Sequence, residues 1–207
     1  MTSIKLQSVG KKFNKIWICK NLSLELILGD CVAVTGANGS GKSTLLQMLS
    51  GYLSPSSGEI KWNVNDNDIP ATEIYNYIGF SSPYMDLPEE YTLYETLELY
   101  FQHKQKITDI SFEQMAEIAW LTDSLHKPIK EFSSGMKQRA KLLLCFYSNA
   151  PLLFLDEPVA NLDARGAEWF NNLILQNKQN RIIIICSNNL KDETVHCNKF
   201  IAVENFK

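Results

Sequence analysis

Apolar and polar positions alternate from Ile4 to Val9 and again over Leu22-Ser23-Leu24-Glu25-Leu26, which predicts two half-exposed β-strands near the start of the chain. Leu28-Gly29-Asp30 turns the second of these into Cys31-Val32-Ala33-Val34-Thr35, a short apolar run of the kind that forms a buried strand. Pro55-Ser56-Ser57-Gly58 marks a turn before a strand from Glu59 to Trp62, and the polar stretch from Asn63 to Asp68 marks a loop. Tyr77-Ile78-Gly79-Phe80 reads as a further buried strand. From Ser81 to Asn149 the period becomes helical. Thr92-Leu93-Tyr94-Glu95 and Ser111-Phe112-Glu113-Gln114 both fit the capping box, in which two side chains satisfy each other's exposed backbone N–H groups at a helix start. After Pro151 the strand pattern resumes at Leu152-Leu153-Phe154-Leu155. A helix from about Asp163 to Asn177, a strand from Arg181 to Cys186 and a last short strand from Phe200 to Val203 follow.

Strands alternating with helices imply a mainly parallel sheet covered on both faces. The expected fold is α/β: a mainly parallel central sheet, an antiparallel N-terminal β edge and an inserted helical lobe. The core is expected over about residues 1–82 and 151–207, and the lobe over about 83–150, within a single domain.

Composition narrows the partners. A chain of 207 residues that is 45% hydrophobic can bury a sizeable core, and a formal charge of −3 leaves no basic surplus to neutralise nucleic-acid phosphates. No nucleic acid is expected. The five cysteines, Cys19, Cys31, Cys145, Cys186 and Cys197, are scattered without a C-x-x-C pair, so they read as reduced thiols with neither metal nor disulfide. The longest apolar runs, residues 142–147 and 182–186, are too short to span a bilayer, and Met1 to Gln7 is too mixed for a secretory segment. The expected location is cytoplasmic, with membrane contact only through a partner.

The chemistry lies in Gly36-Ala37-Asn38-Gly39-Ser40-Gly41-Lys42-Ser43, which fits the phosphate-binding pattern G-x-x-x-x-G-K-[ST] at every fixed position. The glycines sit between a buried strand and the helical run starting at Thr44, where a tight turn presents backbone N–H groups at the positive end of a helix dipole. Lys42 is expected to reach the outer phosphates and Ser43 to ligate a bridging Mg²⁺. Downstream, Leu155-Asp156-Glu157-Pro158 places two carboxylates where a buried strand ends. Asp156 is expected to be the second metal ligand, and Glu157 to accept a proton from a water attacking the γ-phosphate. Ser133-Ser134-Gly135-Met136 opens another helix able to hold an anion at its N-terminus.

Together these motifs resemble the ATP-binding cassette (ABC) ATPases over essentially the whole chain. In that family the segment after Phe132 is usually written L-S-G-G-Q; this chain matches at Ser133 and Gly135 and departs at Phe132, Ser134 and Met136. The resemblance implies ATP and Mg²⁺ as cofactors, a D-loop at Ala160-Asn161-Leu162-Asp163, and an aromatic at Phe13 stacked on adenine. It also implies a homodimer or heterodimer of cassettes closing on two ATP molecules, and a membrane-spanning transporter subunit as partner. The partner surface would include Ser82, Pro83, Tyr84, Met85, Leu87 and Tyr91. Two positions depart where the family couples ATP to movement. A glutamine is usual after the strand ending at Phe80, and here Ser81-Ser82-Pro83 stands instead; a histidine is usual where Ser187-Asn188-Asn189 stands. Asn188 can give a neutral hydrogen bond but carries no charge, so slow turnover is expected. Against the transporter subunit stand a soluble ABC ATPase and a weakly hydrolysing partner in a heterodimer.

Overall fold

In the computed structural model, which describes residues 1–107, 109–188 and 191–206, β1 (Ser3–Phe13) and β2 (Ile16–Ile27) form an antiparallel hairpin. β3 (Cys31–Thr35) then runs into α1 (Lys42–Leu49). The chain returns through β4 (Ser57–Val64), β5 (Asn67–Ile69) and β6 (Ile78–Ser81). Three helices follow: α2 (Leu93–His103), α3 (Phe112–Ile118) and α4 (Ser134–Tyr147). The last part comprises β7 (Leu152–Asp156), α5 (Ala164–Asn177), β8 (Ile182–Ser187), α6 (Lys191–Thr194) and β9 (Lys199–Ala202).

Five strands form one parallel sheet in the order β6-β7-β8-β3-β9. The expected antiparallel strands are present, and they make a four-stranded sheet of their own in the order β2-β1-β4-β5. The first two strands run longer than the alternation predicts, because pairing continues across irregularities such as the one between Leu6 and Val9, where Ser8 takes a φ of +49°. The expected loop from Asn63 to Asp68 is tighter than its polarity suggests. Asn65 and Asp66, with φ of +52° and +67°, form a two-residue hairpin turn between β4 and β5, and short polar residues tolerate that left-handed conformation.

The two faces of the parallel sheet carry different covers. Leu153, Leu155, Ile183 and Ile185 face one core, with Leu142 and Phe146 of α4, Phe170 of α5, Leu97 of α2 and Met115 of α3. Leu152, Phe154, Ile184 and Val34 face the other, against Leu45 and Leu49 of α1 and against Ile4, Leu6 and Trp62 of the antiparallel sheet. Strict alternation of side chains along each strand feeds both cores. The Trp62 indole donates to the Leu49 carbonyl at 2.7 Å, satisfying a helix-end acceptor and tying α1 to the antiparallel sheet. Both predicted capping boxes form, at Thr92 with Glu95 and at Ser111 with Gln114.

Phe154 is fully buried between the sheets, whereas Phe200 on edge strand β9 is 63% exposed. Phe154→Ala is expected to destabilise the protein by about 3–5 kcal/mol, and Phe200→Ala by no more than about 0.5 kcal/mol. Urea denaturation of both variants checks this contrast; equal losses would contradict the core described here.

Candidate active site

The phosphate-loop residues lie between the end of β3 and the start of α1. Gly41 takes a φ of +111°, and a Cβ there would sit 2.2 Å from Cγ2 of Ile18, so the last step into the helix admits only glycine. Ser40 N–H donates to the Ala37 carbonyl at 3.0 Å, which closes the turn. The buried Ser40 hydroxyl has no hydrogen-bond partner. A cavity of about 450 Å³ opens here, lined by Asn38, Gly39, Gly41, Lys42, Ser43 and Thr44 and by residues from three other strand ends. Gly36 and Ala37 lie beneath as partners of the lysine.

Those strand ends supply the polar groups. Ser43 Oγ donates to Asp156 Oδ2 at 2.9 Å, joining the first turn of α1 to the end of β7. Glu157, the next residue, has a φ of +45°, an uncommon conformation for a side-chain-bearing residue. Its N–H still donates to the Cys186 carbonyl at 3.0 Å, so the strand ladder holds the turned residue in place. Lys42 Nζ donates to the Gly36 and Ala37 carbonyls at 2.9 and 3.2 Å and to Asn188 Oδ1 at 2.7 Å. Asn188 Nδ2 in turn donates to Glu157 Oε1 at 2.6 Å. One amide therefore accepts from a cation and donates to a carboxylate, using both its ends in the correct sense. Asn189, the next residue of that segment, lies outside the described residues.

Burial shifts the local acids. Asp156, 5% exposed, is pushed up by desolvation, held back by the Ser43 hydrogen bond, raised by the charge of Glu157 and lowered by Lys42. A third carboxylate, Glu193 of α6, is 2% exposed. Its Oε1 accepts from the Val159 N–H at 3.3 Å, and its Oε2 has no partner. Desolvation raises its pKa, hydrogen bonds from Ser187 and Val159 oppose this, and the charges of Glu157 and Asp156 add to the rise.

A phosphate loop, a hydroxyl against a buried carboxylate and a second carboxylate beside them form the layout of a nucleoside-triphosphate hydrolase. The family model described as "ABC transporter" matches residues 19–160. The chain belongs to the ABC transporter family. The ABC transporter ATP-binding protein YdbJ of Bacillus subtilis (strain 168) is 26% identical over 206 residues, covering 97% of this chain and 66% of that protein. The lantibiotic transport ATP-binding protein SrtF of Streptococcus pyogenes is 29% identical over 209 residues, covering 96% and 85%. Among solved structures, the dimeric cassette MJ0796 in a post-hydrolysis state with ADP and Pi superposes with a TM-score of 0.78 at 22% identity, over 97% of this chain and 94% of that one. This likeness carries the fold. The chain is thus an ATP-binding cassette of the ABC ATPase class, and no helix among its described residues is long and apolar enough to cross a membrane.

Not every expected residue of the cassette meets at this cavity. Phe13 lies at the β1–β2 hairpin end, 47% exposed with Lys11 Nζ 5.2 Å from its ring centre, and Ile18 is the residue of that sheet that lines the cavity. Ser133 caps α4 by accepting from Met136 N–H at 3.3 Å, and both Ser133 and Ser134 are exposed. Gly135 packs so closely on the segment before α5 that a Cβ would stand 2.9 Å from the Asn161 carbonyl. Asp163 Oδ1 accepts from Gly166 N–H at 2.7 Å as the cap of α5. None of these residues lines the phosphate cavity of its own chain.

Other residues join the site that the motifs do not mark. Pro83 and Tyr84 line the cavity where the glutamine is usual. Glu204, just past β9, accepts from the Ala37 N–H at 2.9 Å. The buried Gln138 of α4 donates to the Pro158 carbonyl at 2.8 Å, linking that helix to the segment after Glu157. Of the expected partner surface, Tyr84 and Tyr91 are exposed, but Ser82 and Leu87 are buried at 6% and 7% exposure, so the chain itself already covers those two.

The Glu193 shift has a measurable sign. Above the ordinary glutamate value, near pH ~4.3, the folded chain keeps a proton that the unfolded chain has released, so stability falls as pH rises through that window. Glu193→Gln removes this loss. The melting temperature of the variant relative to the natural chain is expected to climb between about pH 4 and about pH 7; a difference flat across that range would show that Glu193 is not a penalised acid.

Proposed function

We propose that this cassette is the ATP-hydrolysing subunit of an ABC transporter, working as one half of a cassette dimer. The observation that carries the proposal is the joined network Ser43–Asp156 and Lys42–Asn188–Glu157 beside the phosphate loop. Lys42 and the loop N–H groups bind the phosphates, and Thr44, Asn38 and Ser40 belong to the same cradle. Ser43 and Asp156 bring a hydroxyl and a carboxylate oxygen to 2.9 Å, a hard-oxygen pair that fits Mg²⁺ with its remaining ligands drawn from phosphate and water. When bound, Mg²⁺ supplies charge neutralisation on the outer phosphates. Glu157 accepts the proton of the attacking water. Asn188 orients that carboxylate and steadies Lys42, without adding positive charge at the γ-phosphate. The lining at Pro83 and Tyr84 offers no amide to the water. Slow turnover by the isolated chain follows from both features.

The exposure of Ser133 and Ser134, which do not line the phosphate cavity of their own chain, supports shared sites in which each signature faces the partner's nucleotide. ATP then favours closure through contacts that exist only in the closed state, and hydrolysis removes them. Phe13 remains a candidate for adenine stacking at the hairpin end, and Asp163 for contact across the dimer. A groove of about 740 Å³ beside Tyr52, Tyr75 and Tyr84, which are 83%, 61% and 87% exposed, supports the reading that a membrane subunit docks there.

Glu157→Gln is expected to lower ATP turnover by roughly 10²–10⁴-fold while leaving ATP affinity intact and accumulating a dimer on size exclusion with MgATP. Loss of binding, or an unchanged rate, would remove Glu157 from the reaction. Asn188→His is expected to raise turnover. For the transport role, we expect isolation from native membranes in mild detergent to bring a multi-span chain at fixed stoichiometry. Recovery as a soluble dimer alone would favour the soluble ATPase.

A further inference from the structure

Two of the five cysteines, 166 positions apart in sequence, touch in the fold: Cys31 Sγ and Cys197 Sγ are 3.4 Å apart. Cys31 opens β3 and is 1% exposed; Cys197, two residues before β9, is half-buried and gives the pair its access to solvent. The backbone around them is clamped from both sides. Cys31 N–H donates to Asn198 Oδ1 at 2.9 Å, Asn198 N–H donates to the Cys31 carbonyl at 2.8 Å, and the β3–β9 ladder begins at Val32 and Lys199. Forming an S–S bond of about 2.05 Å requires the sulfurs to close by roughly 1.4 Å, a movement within reach of side-chain rotation.

We propose that Cys31 and Cys197 form a dithiol modification site, which hydrogen peroxide converts into an intramolecular disulfide. The Cys197 sulfur attacks one peroxide oxygen, the O–O bond breaks, and the departing oxygen takes the thiol proton and leaves as water. Cys197 is then a sulfenic acid. The Cys31 sulfur attacks the Cys197 sulfur, the S–O bond breaks, and the leaving hydroxide takes the Cys31 proton to form a second water. The two thiols lose two electrons and two protons in all, and one peroxide is reduced to two waters. The shared hydrogen bond lowers the Cys31 thiol, outweighing its desolvation, and together with burial raises the thiol of Cys197, so ionisation suits Cys31 to the resolving attack while Cys197 meets the peroxide first through its access to solvent. By contrast, burial pushes the Cys145 thiol up to about 12 and that of Cys186 well above its ordinary value. The bond would join the strand that feeds the phosphate loop to the one leading to Glu204, which holds the loop's Ala37 N–H.

The test uses the full chain, purified reduced, freed of reductant, treated with stoichiometric hydrogen peroxide and then alkylated with N-ethylmaleimide in denaturant, so that the buried thiols also react. The expected result is an intact mass lower by two hydrogens before alkylation, and after it a linked peptide pair carrying Cys31 and Cys197 with three of the five thiols alkylated; dithiothreitol added before alkylation restores the mass and all five thiols. Cys197→Ser and Cys31→Ser each abolish the link, Cys31→Ala replacing the latter if it fails to fold, while Cys145→Ser leaves it. The proposal is overturned if all five thiols remain alkylated, if Cys197 accumulates as sulfinic acid without a link, or if the link joins two copies or survives Cys197→Ser.

Discussion

Parallel strands must be buried on both faces, and that single constraint organises this protein. Five such strands, β6-β7-β8-β3-β9, send their carboxyl ends to the same edge of the sheet. The phosphate loop leaves β3, Asp156 and Glu157 close β7, Asn188 follows β8, and Pro83 and Tyr84 follow β6. Residues scattered over more than 150 positions thus reach one cavity because the sheet has only one carboxyl edge. The two faces differ because α2, α3, α4 and α5 cover one, while α1 and a complete antiparallel sheet cover the other.

Burial also sets the electrostatics at that edge. Asp156 and Glu193 are carboxyl groups withdrawn from water, and Glu157 lies close enough to raise both. Three acids so placed repel one another unless protons or cations intervene, and Lys42 and the Ser43 hydroxyl provide part of the compensation. Asn188 contributes without charge, linking Lys42 to Glu157 through the two ends of its amide. A neutral linker at that place fixes geometry and stabilises negative charge weakly.

The signature helix relates to this cavity indirectly. Gln138 joins it to Pro158 and Gly135 packs on Asn161, so α4 is bound to the segment after Glu157, while the exposed Ser133 and Ser134 at its start do not line the cavity of their own chain. Such a layout binds the lobe to the residues next to Glu157 and leaves an anion-favouring helix end free for another molecule. The buried contact and the exposed end belong to one rigid helix.

How much was legible in the chain follows from the range of each interaction. The strand–loop–helix around Lys42, the carboxylates at the end of a buried strand and both capping boxes are local, because each depends on residues within a few positions of one another. The turn at Asn65 and Asp66 was legible as a break in pattern, but its tightness depended on two strands meeting across it. Contacts between distant segments had no local signal: Ile18 and Tyr84 on the cavity wall, Glu204 on the loop, Glu193 against Val159, and Cys31 against Cys197. Sequence alone therefore determined the period of each element and the chemistry at its ends. Only the tertiary structure decided which ends meet and which polar groups lose water, because packing acts on distances in space that spacing along a chain does not encode.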